Sequence, residues 1–165
     1  MSLTVSDGFP YYIELTGTIP AKTLLTDPSL ETLLDSITEE KSKHRYADGK
    51  WSIKQIVGHI VDHERIMAYR TLRFSRKDKT TLPGYDQNLM VDNAYFNEFS
   101  FSQLVQDYKL VRASTVSFMN LLKPEQMKLT GMAWKFELTV DEMFRAIVGH
   151  EMHHIKILKE RYLQQ

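Results

Sequence analysis

The sequence contains no cysteine. This absence excludes disulfide bonds, cysteine-ligated metal sites and a thiol nucleophile supplied by the protein itself, and it fits a reducing compartment. Any metal ion bound by this chain must therefore be held by histidine or carboxylate side chains.

The sequence also lacks net charge and long apolar runs. Lys and Arg together number 21, as do Asp and Glu, so we expect no nucleic-acid partner and no attraction to an acidic membrane. No apolar run approaches the roughly 18 residues that a transmembrane helix needs, and the first residues show no basic segment followed by an apolar core. We therefore expect a cytoplasmic protein without a membrane partner.

Three helices are predicted from a shared start signal, the capping box, in which Ser or Thr is followed three residues later by Glu or Gln. The boxes are Ser52 with Gln55, Ser100 with Gln103, and Thr139 with Glu142. Apolar residues at steps of three and four follow each box. These patterns predict helices from Ile53 to about Ser75, from Phe101 to about Leu122, and from Thr139 almost to the end of the sequence.

A fourth, shorter helix is predicted after Asp27, the expected N-cap, with Pro28 at its first position. Its buried face would consist of Leu30, Leu33, Leu34 and Ile37. Four amphipathic helices without a convincing run of strands predict an all-α fold, a four-helix bundle. We expect one domain over residues 1–165, with an irregular extension over about 1–26. The segment 76–98 is too long for an ordinary connection and predicts a crossover loop between the second and third helices, near one end of the bundle.

Two histidines, His150 and His154, lie one turn apart in the apolar stripe of the last helix. Residues at i and i+4 share a helix face, with Cβ atoms about 5–6 Å apart, so both rings can reach one ion. His59 interrupts the apolar stripe of the second helix in the same way. A buried polar group without a partner costs about 1–3 kcal/mol, which a metal can offset where the ligands converge. We predict a metal site of these three histidines, with His63 as a neighbour rather than a ligand.

Two other metal sites are discounted. The run His150-Glu151-x-x-His154 matches the metalloprotease pattern H-E-x-x-H, but only eleven residues follow it and they offer Glu160 alone as a further carboxylate ligand. Glu151-x-x-His154 also matches half of a di-iron site, yet neither His59 nor His63 has a glutamate three residues before it. His153 is rotated by about 100° from His154 and is expected to be a helix-packing residue or to lie at the rim of the site.

The sequence resembles the DinB/YfiT-like superfamily. The resemblance is carried by Lys50-Trp51-Ser52-Ile53 followed by Gly58-His59, by Glu64-Arg65-x-x-x-Tyr69-Arg70, and by Gly149-His150-Glu151-Met152-His153-His154. It implies a four-helix bundle, often a homodimer, that holds one divalent ion through three histidines, one on the second helix and two on the last. Carried onto this chain, these ligands are His59, His150 and His154.

Three imidazoles leave a coordination position open for water or substrate, as in catalytic sites. All-imidazole sites suit several metals, of which zinc and nickel are favoured here and iron also fits. The resemblance implies a transferase that activates an external low-molecular-weight thiol towards an electrophile. Two alternatives remain open: a hydrolase that uses hydroxide on the metal, with Glu151 or His63 moving the proton, and a stress-response bundle that binds metal without catalysis.

A small-molecule substrate is expected to meet residues further along the second helix. Arg65, Tyr69 and Arg70 continue that helix beyond His59 and His63, and a guanidinium can hold a carboxylate with two parallel hydrogen bonds. Surface arginines that only pair with nearby carboxylates are common, so a structural role stays open for Arg65 and Arg70.

Overall fold

The structure, a computed structural model, describes residues 2–164 as a helical fold with one small hairpin. The helices are α1 (Phe9–Leu15), α2 (Ala21–Leu25), α3 (Ser29–Asp35), α4 (Glu39–Ser42), α5 (Ile53–Ser75), α6 (Gln87–Asn93), α7 (Phe101–Asn120), α8 (Pro124–Met127) and α9 (Val140–Ile157). Strands β1 (Thr130–Ala133) and β2 (Phe136–Thr139) pair antiparallel. Single 3₁₀ turns cover Val5–Asp7 and Phe96–Glu98, and a π-helical turn, Leu158–Tyr162, extends α9.

The three predicted capping boxes are present at the starts of the long helices α5, α7 and α9. The side chains of Ser52, Ser100 and Thr139 each accept a hydrogen bond from the backbone N–H three residues later. α3 begins one residue later than predicted, and the Asp27 carboxylate accepts a hydrogen bond from the backbone N–H of Ser29 at 2.8 Å. Local chemistry in the sequence thus sets where the main helices start.

The long helices form the predicted bundle, with a crossover between α5 and α7. Segment 76–98 leaves the C-terminal end of α5 and returns along this helix to its N-terminal end. α7 therefore runs parallel to α5. Lys54 at the start of α5 bonds to the carbonyl of Phe99 just before α7, and Arg65 further along α5 pairs with Asp107 further along α7. α9 runs antiparallel to α5, because His150 lies beside His59 while Tyr162 bonds to the carbonyl of Trp51. We predicted that segment 76–98 passes near one end of the bundle, and this prediction is wrong. The segment runs along α5, contacting Arg70, His63 and Ser52 in turn.

The expected irregular N-terminal extension is also wrong. Residues 9–15 and 21–25 are helical, and both α1 and α2 pack against α9. The close approach of α1 depends on Gly149, since a Cβ there would lie 1.9 Å from the carbonyl oxygen of Tyr12. Gly58 on α5 is used in the same way, because a Cβ at this position would lie 2.4 Å from the ring of Phe96. Each glycine precedes a histidine of the predicted site.

The core consists of two apolar clusters. One surrounds the start of α5 and the end of α9 and includes Ile53 and Leu158, whereas the other surrounds the end of α5 and the start of α9 and includes Phe74 and Val140. Between them lies a buried polar layer formed by His59, His63, Glu64, Arg112, His150, Glu151 and His154. The candidate site is part of this layer.

The described helices include none that is both long and apolar enough to cross a membrane.

Candidate metal centre

The three predicted ligands come together inside the bundle. His59 on α5 and His150 on α9 are each 3% exposed, and His154 is 8% exposed. The Nε2 atom of His150 lies 3.0 Å from Nε2 of His59 and 3.2 Å from Nε2 of His154. One ligand atom from each ring lies within 4.8 Å of the other two. The geometry therefore brings together the histidines that sequence spacing selected.

Burial keeps these rings neutral. It lowers the pKa of His59 to about 4 and holds the pKa values of His150 and His154 well below the ordinary value, and each ring would also repel a charge on its neighbours. A neutral imidazole has one nitrogen lone pair to offer, which is the form that binds metal ions. The set thus supplies three neutral nitrogen donors at neutral pH.

The donor set fits a divalent ion. Four nitrogens at about 2.0–2.1 Å from a tetrahedral ion lie about 3.3 Å apart, close to the two Nε2 separations of 3.0 and 3.2 Å. Among residues 2–164, the buried side-chain nitrogen or oxygen atoms without a hydrogen-bond partner are Nε2 of His63 and Nδ1 of His150 and His154. All three belong to this centre, and such unpaired atoms cost about 1–3 kcal/mol each. A cation at the Nε2 atoms of His59, His150 and His154 would take their lone pairs in place of the contacts that these atoms make with one another. The unpaired Nδ1 atoms are the other nitrogens of two of these rings.

His63 is a close neighbour of the three predicted ligands. Its ring stacks on that of His150 with centroids 3.8 Å apart, and its Nδ1 lies 2.8 Å from the hydroxyl of Tyr85. Burial holds the pKa of His63 well below its ordinary value, so this ring is also neutral. His153 lies at the rim, half-buried, with Nδ1 3.2 Å from the hydroxyl of Tyr11.

Glu151 does not face the centre, which corrects the expectation that it moves a proton there. Its carboxylate accepts hydrogen bonds from Arg112 and, at 3.2 Å, from the hydroxyl of Tyr108. Arg112 also donates to Glu64 at 2.9 Å, so one guanidinium lies between two buried carboxylates. Burial raises the pKa of Glu151 despite this pairing. Glu151 therefore has a structural role in the polar layer.

Of the three predicted substrate residues, only Arg70 reaches the centre's surroundings. It lines a cavity of about 260 Å³ together with His63, Tyr85 and His150, which we call the Arg70 cavity. Arg65 lies elsewhere, with an exposed guanidinium that donates to both oxygens of Asp107 at 3.0 and 2.6 Å. Tyr69 is 54% exposed and lies against Arg73, outside this cavity. The roles expected of Arg65 and Tyr69 are not supported by their positions.

A second cavity, of about 290 Å³, reaches the centre from another side. It is lined by His154, with Trp51 and Tyr162 among its walls, and we call it the His154 cavity. The Trp51 ring packs on His59 with centroids 4.9 Å apart. In the motif Lys50-Trp51-Ser52, the tryptophan therefore packs against the predicted ligand His59 and borders a cavity, while the serine caps α5.

Several cavity residues were beyond sequence reasoning. Tyr12 comes from α1, Tyr85 from segment 76–98, and Trp134 and Phe136 from the hairpin. None of these residues belongs to an apolar helical stripe of the sequence, so no periodic pattern predicts that they lie at the site. The one usable signal is the glycine before His59 and before His150, because a glycine inside a helix costs about 1 kcal/mol relative to alanine and so indicates a close packing partner.

Comparison with known proteins assigns the family. The sequence pattern of the DinB superfamily matches residues 26–158. The chain belongs to the DinB superfamily. It is 27% identical over 131 residues to a protein of Oceanobacillus iheyensis that carries the provisional name of metal-dependent hydrolase, covering 76% of this chain and 73% of that protein.

The fold has a solved counterpart. YfiT from Bacillus subtilis, described as a probable metal-dependent hydrolase with an unusual four-helix bundle topology, superposes with a TM-score of 0.69 at 16% identity, covering 97% of this chain and 89% of that one. This similarity shows the fold. Membership of the superfamily and the histidine geometry together support a DinB-like metal-binding protein.

Proposed function

We propose that this member of the DinB superfamily is a metal-dependent transferase that joins a small-molecule thiol to an electrophile. The ligands are His59, His150 and His154, and zinc or nickel, with iron as a further candidate, suits three imidazoles. When bound, the ion lowers the pKa of a coordinated thiol or water, so that a nucleophile is present at neutral pH. The chain has no cysteine, so the thiol must come from outside.

The observation that carries this proposal is the pair of cavities. The Arg70 cavity includes His150 in its lining, and the His154 cavity includes His154, so the same centre is bordered by two separate spaces. A reaction between two organic molecules needs room for both, whereas hydrolysis needs room for one molecule and a water. In the transfer, the thiol sulfur bonds to the electrophilic carbon, the leaving group departs with the bonding electrons, and the thiol proton is released to a base.

His63 is the side chain placed to receive that proton. It is neutral, its ring lies against His150, and its Nε2 has no hydrogen-bond partner within residues 2–164. Tyr85 holds its Nδ1 and so fixes the ring. We place His63 in this role in preference to Glu151, whose carboxylate is bonded to Arg112.

Hydrolysis is the second candidate, favoured by the names of the relatives from Oceanobacillus iheyensis and Bacillus subtilis. The same centre would activate water instead of a thiol. A metal-binding bundle without catalysis is disfavoured, because a purely structural site would not need cavities that reach two of its ligands.

The test combines metal analysis with a panel of electrophiles assayed with and without small thiols. We expect one divalent ion per chain, lost in His150→Ala, while His153→Ala, one helix position outside the ligand set, keeps it. Turnover that requires an added thiol supports the transferase, and turnover without any thiol identifies a hydrolase. Full metal content in His59→Ala, His150→Ala and His154→Ala would show that the centre is misassigned.

We also propose that the protein is a homodimer. Support comes from a shallow apolar groove between α5 and α7, lined by Tyr69, Leu72 and Phe118, where the first two side chains are 54% and 41% exposed. Apolar side chains exposed side by side commonly mark contact surfaces.

A further inference from the structure

The described part of the chain buries two arginines, and their surroundings differ sharply. Arg112 is 8% exposed and lies between the carboxylates of Glu64 and Glu151. Arg70 is 4% exposed, yet among residues 2–164 no carboxylate lies within ion-pair distance of it. A buried charge without a counter-charge is costly, so its retention calls for an explanation.

The protein contacts of Arg70 leave most of its hydrogen-bonding capacity unused. One terminal nitrogen donates to the carbonyl of Pro83, and the other lies 3.7 Å from the sulfur of Met67. The guanidinium also lies over the ring of Tyr85 at 5.7 Å. A guanidinium carries five N–H groups, so several remain available on a side chain that lines a cavity.

The Arg70 cavity has a charged end and an end beside the metal centre. His63 precedes Arg70 by two helical turns, about 10 Å along the axis of α5. Side chains on a helix lean towards its N-terminus, and the contact with Met67 shows that Arg70 leans in this direction, towards His63 and His150. Tyr85 joins the two ends, since it contacts both His63 and Arg70.

The walls between these ends are aromatic. Tyr12 packs edge-on against His150 with centroids 5.2 Å apart, and Phe136 packs edge-on against Phe9 at 5.5 Å. Trp134, 57% exposed, stands at the hairpin turn with a φ of 55°, a left-handed conformation that is uncommon and unfavourable for a bulky residue. The turn thus holds a large apolar ring where it can cover an entering molecule.

We propose that the Arg70 cavity binds a monocarboxylate with a flat apolar body, whose acid group is received by Arg70 and whose far end reaches the metal centre. This deepens the proposed function, on which its status as a substrate site rests. A single guanidinium balances a single negative charge, and its planar N–H pairs match the two oxygens of a carboxylate. The volume of about 260 Å³ and the aromatic walls suit a molecule of one ring with a short chain.

The test measures binding of 3-phenylpropionate and of its uncharged amide by calorimetry, in metal-loaded and chelator-treated protein. We expect the acid to bind more tightly than the amide in both. Arg70→Gln should weaken binding of the acid about tenfold to a hundredfold, the range for one charge-assisted contact, while binding of the amide stays unchanged. Arg65→Gln is the matched control on the same helix and should change neither.

Thermal unfolding supplies a readout that needs no ligand. Because Arg70 is buried without a counter-charge, Arg70→Met should keep or raise the melting temperature, as removal of a functional but costly group does. A lowered melting temperature together with unchanged binding of the acid would overturn the proposal and leave Arg70 as a structural residue.

The outcomes separate this inference from the proposed function. Loss of acid binding on chelation, with binding kept in Arg70→Gln, would mean that the metal ion binds the acid. This result overturns the inference and still supports the metal centre. Equal binding of acid and amide would also overturn it. Arg70-dependent binding in a protein found to carry no metal would support the proposal that the Arg70 cavity binds a carboxylate, while refuting the metal-dependent function.

Discussion

Removal of Arg112 tests the polar layer that separates the two apolar clusters. Its guanidinium lies between Glu64 and Glu151, which are 1% and 3% exposed. Arg112→Met keeps most of the aliphatic volume but leaves two buried carboxylates without their cation. Breaking a buried pair by removing one partner costs about 3–5 kcal/mol, a large share of the roughly 5–15 kcal/mol that stabilises a typical domain.

The matched control is Arg65→Met, which removes an arginine with an equally good carboxylate contact at the surface. Arg65 and Asp107 are 48% and 40% exposed in their side chains, so this pair contributes less than about 1 kcal/mol. Urea denaturation should show a fall in the midpoint of more than about 1 M for Arg112→Met and little change for the control. The triple variant Glu64→Gln, Arg112→Met, Glu151→Gln removes all the charges and should recover much of the loss. Equal losses in Arg112→Met and Arg65→Met would refute the reasoning.

The loss in Arg112→Met should also depend on pH. Burial raises the pKa of Glu151 from its ordinary value of 4.5 even with Arg112 present, and without the guanidinium the pKa should rise further. A carboxyl with a raised folded-state pKa destabilises the fold above its ordinary value and not below it. The difference in unfolding free energy between wild type and variant should therefore shrink as the pH falls from 7 to 4. A constant difference would mean that the lost stability comes from packing.

Four further predictions concern the histidine centre, the packing of α1 against α9 and the oligomeric state. Metal-free protein should lose stability in thermal melts as the pH falls from about 6.5 towards 4, because the pKa of His59 is lowered to about 4 and the unfolded chain then binds more protons than the fold. Gly149→Ala should destabilise the fold by about 1–3 kcal/mol in urea, despite its gain in helix propensity, because the added Cβ meets the backbone of Tyr12. His63→Ala should keep its metal by elemental analysis and lower turnover by about 10²-fold or more, because the ring proposed to receive the thiol proton is removed. Sedimentation should give twice the chain mass, and a monomer at micromolar concentration would contradict this.

The sequence predicted the long helices and the convergence of three histidines for the same physical reason. Caps and apolar spacing are local, and they determine both where α5 and α9 begin and which of their residues face inwards. His59, His150 and His154 occupy those inward positions, so their convergence needed only the antiparallel packing of two helices. The short contacts of their Nε2 atoms confirm that convergence.

The same reasoning could not say which residues Glu151 and Arg70 contact inside the fold. Glu151 and Arg70 both lie on buried helix positions, and periodicity places them inside without saying what they meet. Glu151 meets Arg112 of α7, and Arg70 meets the segment that crosses back over α5. These contacts depend on chain paths outside the two helices, which carry no periodic signal.

The two buried arginines have different roles: Arg112 stabilises the polar layer, and Arg70 is proposed to bind a ligand beside it. Arg112 is matched by carboxylates and fixes α5, α7 and α9 to one another, which holds His150 and His154 at their positions. Arg70 lacks such a match, and His59, His150 and His154 face one another through their Nε2 atoms. On the α7 side each charged side chain of the layer thus has an oppositely charged partner, whereas Arg70, which lines the neighbouring Arg70 cavity, has none among residues 2–164. A ligand that supplies the missing negative charge, and a cation that takes the histidine lone pairs, would each stabilise the folded chain by binding it in preference to the unfolded one.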